Sequence, residues 1–257
     1  MTFFCERIIE TVTGGWDSGE GSWVALHELP PIFTRLPGRR RARGGAVEIR
    51  FGNARRTRAD ALAVRVLEVI LAATVLLVGA PLWAFIALLV SLDGASPLFV
   101  QERVGENGAL FRFLKFRTMK PCTTDAAHRQ FVQAIAAGKP MTAMPNADRV
   151  TWIGRFLRKS GLDEIPQFIH VLSGRMAVVG PRPPLPYEVE LYHECHKARL
   201  NARPGITGLW QVYGKSEGAF EEQTLVDVFY ISNRSLVLDL TVMLKTAWTV
   251  LSCRGGH

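Results

Sequence analysis

The sequence predicts an α/β protein, mostly α, held monotopically at a membrane. It would have a re-entrant, proline-kinked helix, interfacial amphipathic helices and a small cytosolic globule. Three observations point there: a long apolar run with one charge, a proline near its middle, and basic residues on both flanks. The run is VLEVILAATVLLVGAPLWAFIALLVSL, residues 66–92, and its single charge is Glu68. It exceeds the ~20 residues that cross a bilayer and lacks the polar face of a soluble helix. Pro81, after Gly79-Ala80, removes a backbone hydrogen bond and kinks the helix. An arginine block precedes the run, and Arg103, Arg112, Lys115 and Arg117 follow it. A helix that crosses once cannot keep both basic flanks on the cytoplasmic side, whereas one that re-enters the same leaflet can.

The charge is localised. Ten arginines between Arg35 and Arg65, against Glu48 and Asp60, supply the whole net charge of +8 and leave the rest of the chain neutral. Beside an apolar run, such a block fits the anionic lipids of a cytoplasmic leaflet rather than nucleic acid. The length of 257 residues allows one large domain or two small ones, and the apolar fraction of 48% is ordinary for a chain with a core. Cys5, Cys122, Cys195 and Cys253 are scattered without C-x-x-C spacing, which argues against a zinc site or disulfide framework and fits a reducing compartment. The start, MTFFCERIIETVTGG, lacks the basic and apolar regions of a secretory signal.

The chain divides into a poorly ordered basic region at 1–60, the membrane helix at 61–92 and a globule at 93–257. Within the globule, Asn107-Gly108 between apolar runs predicts a hairpin. Residues 121–150 read as a surface excursion. Helices are expected at 151–159, 164–172, 187–200, 219–232 and 239–252. The stretch SGRMAVVGPRPPLP reads as a short strand entering a proline-stiffened loop. The stretch LTVMLKTAWTVLS is apolar around most of a helix and fits the membrane interface.

The chemistry centres on SGLDEIPQ, residues 160–167. Locally, Asp163 could be an N-cap with Glu164 favouring the positive end of the helix dipole. Alternatively the two acids divide labour. Neighbours on a helix point about 100° apart, so they do not form a coupled dyad, but one could ligate a metal while the other faces a substrate. Hard oxygen ligands near phosphate-binding arginines imply Mg²⁺ more than zinc, and a carboxylate can also be a covalent nucleophile. Basic side chains recur in loop contexts: Lys115, Arg117, Arg158, Arg182, Arg203 and Lys215. Arg182, held between prolines in GPRPP, suits bidentate phosphate recognition, against the plainer reading of an exposed polyproline turn. The Gly-rich loop 205–214 matches no nucleotide fingerprint. His170, His193 and His196 show no metal-ligand pattern.

Five motifs then carry a resemblance: FLKFRTM (113–119), RVTWIGRFLRKSGLDEIPQ (149–167), GRMAVVGPRP (174–183), RPGITGLWQVYGK (203–215) and SLVLDLTVMLKT (235–246). In that order and spacing, from about residue 61 onward, the chain resembles the bacterial sugar transferases, the monotopic polyprenol-phosphate phosphoglycosyl transferases. It looks most like members that initiate exopolysaccharide repeat units. The resemblance implies transfer of a hexose-1-phosphate from a UDP-sugar to undecaprenyl phosphate, with release of UMP, at the cytoplasmic face of the inner membrane. It implies Asp163 as nucleophile, forming an aspartyl phosphosugar, and Glu164 as the Mg²⁺ ligand. It further implies Arg158 as phosphate-binding, with the Pro-Arg-Pro motif at Pro181, Arg182 and Pro183, a lysine at Lys115 and a late aspartate at Asp239.

Two departures stand out. Ala80-Pro81 replaces the family's usual Ser-Pro, removing a hydroxyl that could serve the freed backbone group. Lys215 stands where many members have arginine, replacing a planar fork with a point charge. Rival functions are a glycosyl transferase or nucleotide-sugar hydrolase on the same donor, and a non-catalytic lipid-binding adaptor. A homodimer is compatible with the sequence but not required by it.

Overall fold

The computed structural model describes residues 22–25, 31–37, 40–43, 46–51, 57–120, 129–130, 132–134, 149–192, 194–214 and 220–252. The apolar run forms two helices, α1 (Arg58–Val78) and α2 (Ala80–Val90), which meet at Gly79. Thr57 caps α1, its hydroxyl accepting from the Asp60 N–H at 3.0 Å. Pro81 lies in the first turn of α2, where its missing N–H breaks the ladder. The indole of Trp83 folds back over the break and donates to the Val75 carbonyl at 2.8 Å. Gly79 is needed for this, since a side chain there would overlap the Trp83 ring. The Val75 carbonyl thus accepts from both this indole and the Gly79 N–H.

Each helix buries one narrow stripe. In α1 it is Val64, Glu68 and Ala72; in α2 it is Ile86 and Val90. Around these stripes Leu62, Ile70, Leu77, Val78, Phe85 and Leu88 are exposed. Only 17% of the apolar window of α1 is buried within the protein. A core helix of a soluble protein would be mostly covered, so these faces fit lipid.

The buried stripes dock on one contiguous segment. This comprises α3 (Trp152–Ser160), a 3₁₀ turn at Leu162–Gln167 and α4 (Phe168–Leu172). On α2, Ile86 and Val90 pack with Phe116, Ile153 and Leu157. Arg117 closes that end, donating through Nη2 to the Val90 carbonyl at 2.8 Å and through Nε to Ser96 at 2.7 Å. On α1, Arg65 donates to the Val171 and Leu172 carbonyls at 2.8 and 3.1 Å, satisfying the C-terminal end of α4. Glu68 accepts from the Val178 N–H at 3.1 Å through Oε1, while Oε2 lies 3.5 Å from Arg65 and 3.7 Å from Arg203.

Among the described residues there are also three small sheets. Strands β1 (Ser22–Ala25), β2 (Arg40–Arg43) and β3 (Ala46–Phe51) form an antiparallel sheet in the order β1-β3-β2. The expectation of poor order at 1–60 therefore does not hold for these residues. AVEIRF alternates with the period of a strand, a signal that the surrounding arginines obscure. Between β1 and β2, Phe33 and Leu36 are fully buried, and Phe33 meets Phe229 edge-on at 5.6 Å. Strands β4 (Leu98–Val104) and β5 (Leu110–Phe116) pair antiparallel across the predicted Asn107-Gly108 turn, where both residues have positive φ. Strands β6 (Ala177–Val179) and β7 (Gly205–Thr207) pair in parallel. Helices α5 (Phe220–Asn233) and α6 (Leu236–Leu251) close the main core, with Val226, Phe229 and Val242 fully buried. The other side of α6 exposes Val237, Leu244, Trp248 and Leu251.

Glu68 is one of the bonds between membrane helix and globule, and its removal should loosen the junction. Glu68→Ala is expected to cost about 2 kcal/mol, mainly the charge-assisted bond to Val178, because the two arginine contacts are long and partly exposed. Glu68→Gln, which keeps an acceptor, should cost less. Thermal unfolding in detergent checks the order wild type, Gln, Ala.

Candidate active site

Helix α3 starts at Thr151, whose hydroxyl accepts from the Gly154 N–H at 3.0 Å, and ends at Gly161. Gly161 has φ 68, a left-handed stop that reverses the chain into the 3₁₀ turn carrying the two acids. Gly161, not Asp163, occupies the N-cap position of that turn, and no side chain caps it. The local reading of Asp163 as a helix cap therefore gives way: Asp163 sits inside the turn, 9% exposed. With three residues per turn, the neighbouring carboxylates diverge by about 120°.

Strand β5 and the PRP loop at 181–183 bring cations to this turn. Lys115, on β5, has Asp163 as the opposite charge acting most strongly on it, and its Nζ lies 5.1 Å from the centre of the Phe99 ring. Burial outweighs that attraction, and together with Arg103, Arg182 and Arg158 lowers Lys115 to about 8. Glu164 keeps some solvent contact but is enclosed by protein on most sides. Burial first, and the Asp163 carboxylate second, push it up to about 7 against the pull of Arg182, Lys115 and Arg103. Arg158 is aimed by its Nε bond to the Thr118 hydroxyl at 2.9 Å. Arg182 projects to solvent between the buried Pro181 and Pro183. The structure thus gathers Asp163, Glu164, Lys115, Arg158 and Arg182 into one electrostatic neighbourhood.

Other residues singled out from the sequence lie elsewhere or do other work. Asp239, buried on α6, accepts from the Tyr230 hydroxyl at 2.8 Å; that hydroxyl also lies 3.0 Å from the Val179 carbonyl. Asp239 is thereby tied to the strand that leads into the PRP loop. Arg117 is buried and closes α2, while the half-buried Arg203 faces Glu68. Pro81 stands at the break between α1 and α2. Lys215 and His193 fall outside the described residues. His170 is buried against Phe111, at 5.4 Å, and burial followed by Arg175 pushes its pKa down. His196 is buried against Tyr192 at 5.7 Å.

Sequence reasoning treated Arg103 only as a flanking charge. It is 6% exposed, stacks on Phe113 at 5.4 Å, and is among the cations that act on both Glu164 and Lys115. Burial lowers it to about 10, so it remains charged at neutral pH. The available signal was alternation: Gln101 and Arg103 share one face of β4, and Arg103 lies opposite Phe111. Among the described residues no three His, Cys, Asp or Glu side chains converge as a metal centre. Chemically, the arrangement offers one enclosed carboxylate, a second raised to about 7, and three cations suited to a polyphosphate with the buried Arg103 behind them.

The sequence was compared with known proteins. Residues 59–253 match the family described as bacterial sugar transferase. The chain is 37% identical over 200 residues to the exopolysaccharide production protein ExoY of Rhizobium meliloti, covering 76% of this chain and 88% of that protein. It is 38% identical over 202 residues to the UDP-glucose:undecaprenyl-phosphate glucose-1-phosphate transferase of Caulobacter vibrioides, covering 75% and 71%. It is 32% identical over 217 residues to the undecaprenyl-phosphate galactose phosphotransferase of Salmonella typhimurium, covering 81% of this chain but 44% of that longer protein. The enclosed Asp163–Glu164 pair with its cations, the membrane helix and these similarities converge: the chain belongs to the bacterial sugar transferase family and is a transferase enzyme.

Proposed function

We propose that this enzyme transfers a sugar-1-phosphate from a UDP-sugar to undecaprenyl phosphate through a covalent intermediate on Asp163, as the first membrane step of exopolysaccharide assembly. The single observation that carries the reading is the enclosed Asp163–Glu164 pair, with Lys115, Arg103 and Arg182 as the cations acting on Glu164 and Asp163 as the anion acting on Lys115. An Asp163 oxygen attacks the phosphorus that bears the sugar. The bond from that phosphorus to the bridging oxygen breaks, and UMP leaves with the electron pair. A phosphate oxygen of undecaprenyl phosphate then attacks the same phosphorus, and Asp163 departs as a carboxylate. Lys115, Arg158 and Arg182 bind the diphosphate and offset the charge that gathers on the leaving UMP.

The donor set fits Mg²⁺. Carboxylates are hard oxygen donors, and this ion commonly takes one or two of them and completes its sphere with phosphate oxygens and water. Glu164 would hold it, and when bound it supplies charge neutralisation on the diphosphate.

The membrane helix is read as re-entrant on the cytoplasmic face of the inner membrane. Two contacts support this. Arg65 and Glu68, near the start of α1, bond to the globule, and so does Val90, at the end of α2. Helix α1, with 21 residues and about 32 Å, is long enough by itself to cross the ~30 Å hydrocarbon, whereas α2, with 11 residues and about 16 Å, is not. The support for re-entry is therefore the attachment of both ends to the globule. Such placement holds the site at headgroup level, where a water-soluble donor and a lipid phosphate can both arrive. The arginines before α1 would then lie against anionic lipid.

Three outcomes check the reading. In nanodiscs with Mg²⁺ and undecaprenyl phosphate, a UDP-sugar panel should give UMP and a lipid product. Asp163→Asn should lower that rate about 10³-fold or more. Release of UDP would favour a glycosyl transferase, free sugar phosphate without acceptor a hydrolase, and turnover indifferent to Asp163→Asn an adaptor with contaminating activity. Second, a lowered lysine pKa means Lys115 is charged below about 8 and neutral above it. The kcat/KM for the donor should therefore fall as pH rises past that value, and Lys115→Arg should move this limb to higher pH. Third, single cysteines replacing Asp60 and Ser96 in a cysteine-free background should be shielded together from a membrane-impermeant thiol reagent in intact cells. Labelling of just one would show a crossing helix.

A further inference from the structure

The loop Pro181-Arg182-Pro183-Pro184 has little means of holding itself. Three of its four residues are prolines, so Arg182 carries its one N–H. All four of its carbonyls are held from outside. Pro181 accepts from the Gly205 N–H at 2.8 Å and Pro184 from the Val104 N–H at 2.9 Å. The two between them accept from buried guanidinium groups. Arg182 accepts from Arg199 Nη2 at 3.3 Å, and Pro183 from Arg103 Nη1 at 3.1 Å.

Burying a guanidinium to hold a backbone carbonyl is costly unless the rest of the fork is satisfied. Here both terminal nitrogens of each fork are bonded, while the Nε of Arg103 and of Arg199 is buried without a partner. Arg199, 3% exposed, also bonds Asp227, itself 1% exposed, and donates through Nη1 to the Tyr192 hydroxyl at 2.9 Å. Arg103 donates through Nη2 to Gln101 at 2.9 Å. A neutral loop at the surface would not need two buried cations behind it. We infer that Arg199, braced by Asp227 and Tyr192, and Arg103, braced by Gln101, are positioning residues that clamp the proline loop from behind so that the Arg182 guanidinium is presented to the donor diphosphate. This rests on the functional reading above for the ligand that Arg182 meets; the clamp itself does not.

The test uses the full chain in nanodiscs. Arg199→Met alone would leave Asp227 buried without its partner and could fail to fold. The variants are therefore Arg199→Lys, which keeps the charge but loses the fork, and the pair Arg199→Met/Asp227→Leu, which removes both charges. Amide exchange at Gly180, Arg182 and Leu185 should accelerate in both variants, with the exchange of α1 unchanged. The KM for the UDP-sugar should rise about tenfold while kcat changes less than threefold. In an Arg182→Ala background the same substitutions should no longer raise KM, since a mispositioned Arg182 and an absent one are equivalent. Unchanged exchange at the loop overturns the clamp whatever the catalytic outcome. Faster exchange with a KM effect that persists undiminished in Arg182→Ala overturns the link to Arg182. Absence of UMP from wild type sinks the functional reading instead, and the exchange result still decides the clamp.

Discussion

The fold hangs on one carboxylate placed where an apolar helix should have none. Glu68 interrupts the hydrophobic run, and that would be expensive if it faced lipid. It faces the globule, accepting from Val178 on β6 and lying beside Arg203, two residues before β7. Both strands of the parallel pair are thereby registered against the membrane helix. Because β6 runs directly into Pro181-Arg182-Pro183, the same contact sets the position of that loop relative to α1. Around this contact, Arg65 bonded to α4, Arg117 bonded to α2 and the packing of Ile86 and Val90 against Phe116, Ile153 and Leu157 complete the attachment.

From that anchor the site follows by short connections. Arg65, one turn before Glu68, closes α4, which continues the turn bearing Asp163 and Glu164. Arg117, two residues after Lys115, closes α2. Lys115 and the acidic turn thus each have a structural arginine nearby that ties their segment to the membrane helices. The division is physical: arginines whose forks are filled by backbone carbonyls are fixed, and those left facing the carboxylates are available to phosphate.

The legible parts of the chain were those encoded locally. Asn107-Gly108 announced its hairpin, and the apolar runs announced α1, α2 and α6, because periodicity and turn chemistry act over a few residues. The acidic pair and the PRP loop were legible through resemblance to a family; residue types alone left the N-cap and polyproline readings standing. What escaped was long-range. The partner of Glu68 lies 110 residues away, and that of Arg103 lies 80 residues away. Strand alternation placed Arg103 on a face with Gln101 but did not show that the face is buried, and nothing near Arg117 distinguishes a buried cation from a flanking one. The strands within 22–51 were hidden because their alternation is short and set among arginines and glycines.

The central claim is that Asp163 becomes covalently bonded to the sugar phosphate. The most direct measurement mixes the nanodisc-embedded enzyme with its UDP-sugar and Mg²⁺ in the absence of undecaprenyl phosphate, quenches in acid, and maps peptide masses. A sugar phosphate on the peptide containing Asp163, matched by one UMP per adduct and discharged by adding the lipid phosphate, is the predicted result. UMP that forms only once the acceptor is present, with Asp163 unmodified throughout, would contradict the account and favour direct transfer between the two substrates.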